Sequence, residues 1–246
     1  MSKKLRTLIL LFLLITTAAF LTTGCGKKEK PKGYTISGVV TNSANNLGIK
    51  NVKLAVGEKV VTTDVHGKWS VSGLTGPVTV GVITDNLGWT FDRTSVEVSG
   101  AASDLDFTVT FDGIEETIKR VSLDGAATIV VPPGTYNLSG AINIVSRDIH
   151  LKSTDPDDPA VVAATIIKDH GIYIYRTPNR SIVEGLTISD EKSSGISVSD
   201  RGVATIRKNV IEGCGMHGIS ITSTIPDQIE IIDNIIRNNS VTETFG

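Results

Sequence analysis

The chain has 246 residues and a near-even balance of 24 basic against 26 acidic side chains, giving a formal charge of −2. That balance excludes broad nucleic-acid affinity as a default, since binding a phosphate backbone needs a basic surface. Aromatic residues make up 5% of the chain against 40% hydrophobic overall, and the only cysteines are Cys25 and Cys214, so stability must come from aliphatic packing rather than a disulfide framework.

Residues 1–24 have three zones. Met1–Thr7 carries Lys3, Lys4 and Arg6 and no acid, Leu8–Leu21 is almost wholly apolar, and Thr22-Thr23-Gly24 leads to Cys25. A short apolar run behind a basic end reads as a signal peptide, because a spanning helix needs about 20 apolar residues. The small residues before Cys25 resemble the lipobox of bacterial lipoproteins, although Thr22 stands where that family usually has leucine. The resemblance implies cleavage before Cys25, acylation of its thiol, membrane lipid as a partner, and a place in the cell envelope facing away from the cytoplasm. Ordinary secretory cleavage with an incidental cysteine is the alternative. If Cys25 is acylated, Cys214 is a lone small hydrophobe, expected to be buried. Without Lys3, Lys4 and Arg6 the formal charge falls to −5. Residues 25–33 then form a lipidated tether, in which Lys27, Lys28, Lys30 and Lys32 oppose only Glu29. Such a cluster suits an anionic lipid surface, at about 1 kcal/mol per basic residue, or a solvated linker.

From 34 to 111 the pattern has period two, with apolar runs at 34–40, 52–58, 59–64, 68–73, 78–84, 93–99 and 105–111. Asn45-Asn46, His66-Gly67, Thr75-Gly76-Pro77 and Asn86-Leu87-Gly88 break them. Short strands at this spacing predict a small β-sandwich, with Trp69, Phe91 and Phe107 as its large core members. The order Ile36-Ser37-Gly38-Val39-Val40, Gly48-Ile49-Lys50-Asn51-Val52 and Thr63-Asp64-Val65-His66-Gly67-Lys68-Trp69 resembles the carboxypeptidase regulatory-like (prealbumin-like) domain of bacterial surface proteins. The resemblance implies a spacer or weak binding module, with Asp64 and His66 as turn residues rather than a site.

Residues 112–246 change texture. Ile114–Val121 has a short helical pattern, and after Gly125 comes Thr128-Ile129-Val130-Val131-Pro132-Pro133-Gly134-Thr135-Tyr136. This opening resembles the right-handed parallel β-helix of the pectin-lyase-like superfamily, in which a helix caps the first coil. Repeats support the likeness. A shift of 23 places 183–188 on 206–211 and 195–198 on 218–221, and a further 25 places 206–211 on 231–236. Gly171 to Ile174 lies 24 before Gly195 to Val198, and Ile142 and Ile144 lie 30 before Ile172 and Ile174, the excess being the polar insertion 154–159. Inward columns are therefore expected at Ile188/Ile211/Ile236, Ile172/Ile196/Ile219 and Ile174/Val198/Ile221, with Asn209 and Asn234 stacked as a structural ladder. The expected fold class is all-β: the sandwich, then the β-helix with a short N-terminal capping helix. Because Ile231–Ile236 ends the readable repeat without a cap, the β-helix reads as truncated or as covered at that end by a partner.

No catalytic set stands out. Asp155, Asp157 and Asp158 have the ligand chemistry for calcium but read more simply as a solvated loop, and no other cofactor is indicated. Glu184 and Arg207 are expected to form an ion pair across coils on the outer surface, and Lys208 and Asp233 another. Cys214-Gly215-Met216-His217-Gly218 lacks the glycine before His that polygalacturonases have, and His170 and His217, two coils apart, are too distant to share a metal. The reading is a membrane-anchored lipoprotein whose β-helix binds carbohydrate or another extracellular polymer. The alternatives are a polysaccharide lyase, epimerase or hydrolase of the same superfamily, and a structural or adhesive stalk.

Overall fold

A computed structural model describes residues 32–240; Cys25, the expected signal peptide and nearly all of the expected tether lie outside them. Eight strands precede the coils: β1 (Tyr34–Asn42), β2 (Lys53–Val56), β3 (Lys59–Thr62), β4 (Lys68–Leu74), β5 (Val78–Val82), β6 (Trp89–Phe91), β7 (Ser95–Val98) and β8 (Phe107–Phe111). They form two four-stranded sheets, in the orders β4-β1-β8-β6 and β3-β2-β5-β7. Alternation explains the shared core: in β1 Ile36 and Val40 point inward, in β2 Leu54 and Val56, in β4 Trp69 and Val71. Phe107 is fully buried, whereas Phe91 is half-buried against the same core. Sequence pattern missed β6, because Trp89-Thr90-Phe91, directly after the Asn86-Leu87-Gly88 break, is too short a run to register as an alternating strand. Strand β1 pairs antiparallel with β4 but parallel with β8, through Val40–Phe107, Thr41–Thr108 and Asn42–Val109.

The helix Ile114–Lys119 follows, and Ile114, Ile118 and Val121 join the core of the coils. The first coil comprises β9 (Ala126–Val131), β10 (Gly134–Asn137) and β11 (Ile142–Val145). The second has β12 (Asp148–Ser153), β13 (Thr165–Lys168) and β14 (Ile172–Tyr175); the third β15 (Ser181–Glu184), β16 (Thr187–Ser189) and β17 (Ile196–Ser199). The fourth has β18 (Ala204–Arg207), β19 (Val210–Glu212) and β20 (Ile219–Thr222), and β21 (Ile229–Ile232) and β22 (Ile235–Arg237) belong to a fifth. Equivalent strands stack in parallel into three sheets, β9-β12-β15-β18-β21, β10-β13-β16-β19-β22 and β11-β14-β17-β20. This is a right-handed parallel β-helix following a β-rich region.

The register is set by the aliphatic columns. Ile188 pairs with Ile211 and Ile211 with Ile236; Ile142, Ile172, Ile196 and Ile219 stack, as do Ile144, Ile174, Val198 and Ile221. Eight of these eleven side chains are fully buried, and the three nearest the fifth coil are less covered, with Ile236 48% exposed. Burying each isoleucine contributes about 1.5–3 kcal/mol, which is how a domain nearly without aromatics holds together.

The two β regions are joined by named bonds. Trp89 Nε1 donates to the Val130 carbonyl (2.8 Å), Asn42 and Asn45 both donate to the Pro133 carbonyl (2.9 and 3.0 Å), and Asn51 donates to the Thr154 carbonyl (3.0 Å). Tyr136 meets Phe111 edge-on at 6.0 Å. The insertion 154–159, expected as a solvated loop, runs into the helix Pro159–Ala164, N-capped by Asp158, whose carboxylate accepts from the Ala160 amide.

Candidate functional site

Successive side chains on a strand alternate between faces, so the sheet β9-β12-β15-β18-β21 sends one set into the core and the other to the surface. The outward rows are Thr128, His150, Ile182, Thr205 and Glu230, and Val130, Lys152, Glu184, Arg207 and Ile232. With Val130, Ile182 and Ile232 as the apolar members, they still place at least one polar side chain on every coil, at a spacing of about 4.8 Å.

Glu184 is its centre. The carboxylate accepts from Arg207 Nη2 at 3.0 Å and from His150 Nε2 at 2.8 Å, and Lys208 Nζ lies 3.8 Å away. Arg207 Nε is also within 3.0 Å but off the hydrogen-bonding direction. An ionised carboxylate only accepts, so His150 presents Nε2–H to it. The Glu184–Arg207 pair across coils is the expected one, but Glu184 is 5% exposed rather than on an open surface. Burial alone pulls its pKa upward; hydrogen bonds from Arg207 and then His150, with their charges, outweigh that and hold it below the ordinary 4.5. A depressed folded pKa makes its stabilising contribution complete above pH 4.5 and lost as pH falls through the folded value. Glu184→Gln is therefore expected to flatten the fall in melting temperature below pH 4.5, measured by calorimetry from pH 7 to 3; an unchanged acid limb would remove this carboxylate from the account.

One coil on, Thr205 Oγ1 donates to Glu230 (2.9 Å) and accepts from Arg180 (2.9 Å), and Arg180 also pairs with Glu230 at 3.0 Å. The expected Lys208–Asp233 pair does not form. Both residues occupy the left-handed position of a turn, with φ of 56° and 53°, in line with Gly185 at 67°. From there Lys208 reaches the insertion and bonds Asp157 at 2.5 Å.

The three insertion aspartates are divided between two lysines. Lys50 of the first β region sits between Asp155 (2.8 Å) and Asp158 (2.7 Å), while Asp157 takes Lys208. The Lys50 ammonium thus stands where a cation bridging Asp155 and Asp158 would bind, and among the described residues no group of three or more His, Cys, Asp or Glu is arranged to hold a metal ion. Its hydrogen bonds to Asp155 and then Asp158 raise Lys50 above the ordinary lysine value, and Lys50 lowers both carboxylates. Lys50→Met should leave Asp155 and Asp158 facing each other uncompensated. Elastase cleavage within 159–164 at neutral pH is expected to accelerate several-fold; unchanged cleavage would show that Lys50 does not secure the insertion.

Asn209 and Asn234 occupy the turn between the first and second strands of their coils. Asn209 Nδ2 donates to Asn234 Oδ1 (3.0 Å) and to the Val183 carbonyl (2.9 Å), and its Oδ1 accepts from the Leu186 amide (3.0 Å). The next corner repeats the device: Asn239 Oδ1 accepts from the Cys214 amide (2.9 Å). Cys214 is 1% exposed, and burial raises its thiol pKa, which suits packing rather than nucleophilic chemistry. His170 and His217 lie in the turns leading to Gly171 and Gly218, and the His217 amide contacts Ser194 Oγ at 3.4 Å. Asp64 accepts from the amides of His66 and Lys68, both at 2.9 Å, within its turn.

His150 had no signal in the sequence. The insertion lengthens its coil, so it stands 34 residues before Glu184 and matches no repeat shift.

A family model described as a right handed beta helix region matches residues 164–245. Among solved structures, the Bacillus anthracis TIE protein is similar at 17% identity and a TM-score of 0.29, over 32% of this chain. The chain spans 17% of that protein's length. No curated protein matches.

Proposed function

We propose that the chain is a lipid-anchored envelope protein whose β-helix presents the outward surface of its first sheet to a carbohydrate or another extracellular polymer. The observation that carries this reading is the two-row polar surface from Thr128 to Glu230, which offers donors and acceptors coil after coil at a fixed spacing, as an extended polymer requires. In this reading Cys25 carries the lipid, residues 25–33 are the tether, and the carboxypeptidase regulatory-like sandwich holds the coils away from the membrane.

A second reading, a polysaccharide-modifying enzyme, draws on one feature, the His150–Glu184 contact, in which a buried carboxylate orients an imidazole capable of proton transfer. One experiment separates them. Full-length protein is incubated with uronic-acid and neutral polysaccharides, with and without calcium, and retention and new chain ends are measured. Retention without new ends is the expected result; calcium-dependent cleavage would overturn the non-catalytic reading, and neither outcome would leave a stalk. The anchor is tested by Cys25→Ser, which should move the protein out of the membrane fraction; a variant still membrane-bound would end the lipidation reading.

A further inference from the structure

Where the two β regions meet, they enclose a cleft of about 360 Å³, within the range of small-ligand sites and at the kind of boundary where such sites concentrate. One wall comes from the first region, with Lys53 on β2 and Thr84, Asp85, Asn86 and Trp89 around the approach to β6; the other comes from the coils, with Lys152 on β12 and Thr154 just beyond it. Two features separate this cleft from ordinary surface. Thr154 is 93% buried, being 7% exposed, and its hydroxyl has no hydrogen-bond partner, whereas buried polar groups are almost always paired. Trp89, half-buried, is fixed in the wall by its Nε1 bond to the Val130 carbonyl, so the indole cannot turn away.

The lining selects a ligand class. Lys50 is already held by Asp155 and Asp158. Lys53 and Lys152 face a cleft that also contains Asp85, so a small anion would meet repulsion as well as attraction. A pyranose ring uses all of these groups. Its vicinal hydroxyls can donate to the Asp85 carboxylate and accept from either lysine, and a turn of the Thr154 side chain, whose Oγ1 is closed to solvent in this rotamer, brings it to another hydroxyl. Its C–H face can lie on the apolar body of the indole. Lys152 is also the neighbour of Glu184 in the outward row, so the cleft opens at the edge of the polar surface described above.

We infer that this cleft is a saccharide subsite, holding one sugar unit of a polysaccharide whose chain continues across the first sheet; the inference rests on the polymer-binding reading. Thr154→Val provides an unusual test, because the two effects have opposite signs. Removing an unpaired buried hydroxyl should leave the urea midpoint unchanged or raise it, while weakening polysaccharide binding about 3- to 10-fold. Affinity gels containing polygalacturonate, hyaluronan, mannan or soluble cellulose derivatives would measure retention of the full chain, the Thr154→Val and Asp85→Asn variants, and Arg207→Gln on the outer sheet. In a Trp69→Phe background Trp89 is the sole tryptophan, so its emission should change saturably with the retained polymer. Should that background fail to fold, the gels decide alone. Retention weakened by both cleft substitutions supports the subsite. Retention indifferent to both overturns the subsite and leaves the polymer reading standing, and an absence of retention by the unsubstituted chain overturns both.

Discussion

Asn209→Leu is expected to destabilise the protein by about 3 kcal/mol, read as a fall of roughly 1 M in the urea midpoint. Asn209 is 1% exposed, and its amide supplies the partner for two other buried groups, the Leu186 amide and the Val183 carbonyl. Leucine matches the volume but serves neither, and each orphaned buried group costs about 1–3 kcal/mol. The neighbouring Asn234→Leu should cost less, although Asn234 also bonds the Ile206 carbonyl at 2.7 Å, because that rung is nearer solvent and water can replace what is lost. Equal losses at the two rungs would mean that the ladder acts by something other than satisfying buried backbone.

Gly171→Ala is expected to cost up to about 3 kcal/mol through overpacking. A Cβ at this position would lie 2.2 Å from the Ser194 carbonyl oxygen and 2.6 Å from that of Gly195. Both are backbone atoms of the next coil, fixed by the Ile172–Gly195 hydrogen bond and the columns beside it, so neither can swing aside. At Gly195 and Gly218 a Cβ would instead meet side chains of the next coil, Ile211 and Cys214 at 2.8 and 2.9 Å and Ile236 and Asn239 at 2.7 and 2.8 Å, so the glycine of the repeated Gly-Ile-x-Ile/Val pattern leaves room for the neighbouring coil at each repeat. A thermal melt settles the matter, since an alanine variant with an unaltered melting temperature would show that the coils can spread at this corner.

The columns were legible in the sequence because a β-helix repeats its chemistry at nearly its chain period. Shifts of 23 to 25 residues found Ile188 over Ile211 over Ile236, and the 30-residue step from Ile142 to Ile172 located the insertion. What the insertion does was not legible. Its Asp158 meets Lys50 from 108 residues away, a pairing that no local pattern encodes. Shift reasoning also failed where backbone conformation overrode it. Lys208 and Asp233 do correspond, but both sit in left-handed turns, from which Lys208 extends to Asp157 instead. The candidate site was half visible for related reasons: Glu184 and Arg207 follow the repeat, His150 is displaced by the longer coil, and the cleft around Trp89 and Thr154 joins segments that are distant in the chain.

The parallel pairing of β1 with β8 has a mechanical consequence. The chain enters the first β region at the start of β1 and leaves it at the end of β8, and in a parallel pair these points lie at opposite ends of the shared ladder. A pull between Gly33 and the coils therefore acts along the strands, straining the bonds of Val40–Phe107, Thr41–Thr108 and Asn42–Val109 together rather than peeling them apart in turn. The Asn42 and Asn45 bonds to Pro133 and the Lys50 contacts to the insertion also tie this region to the coils. A small domain loaded in shear yields at much higher force than one that unzips, which suits this first β region to carry tension between its entry point and the coils.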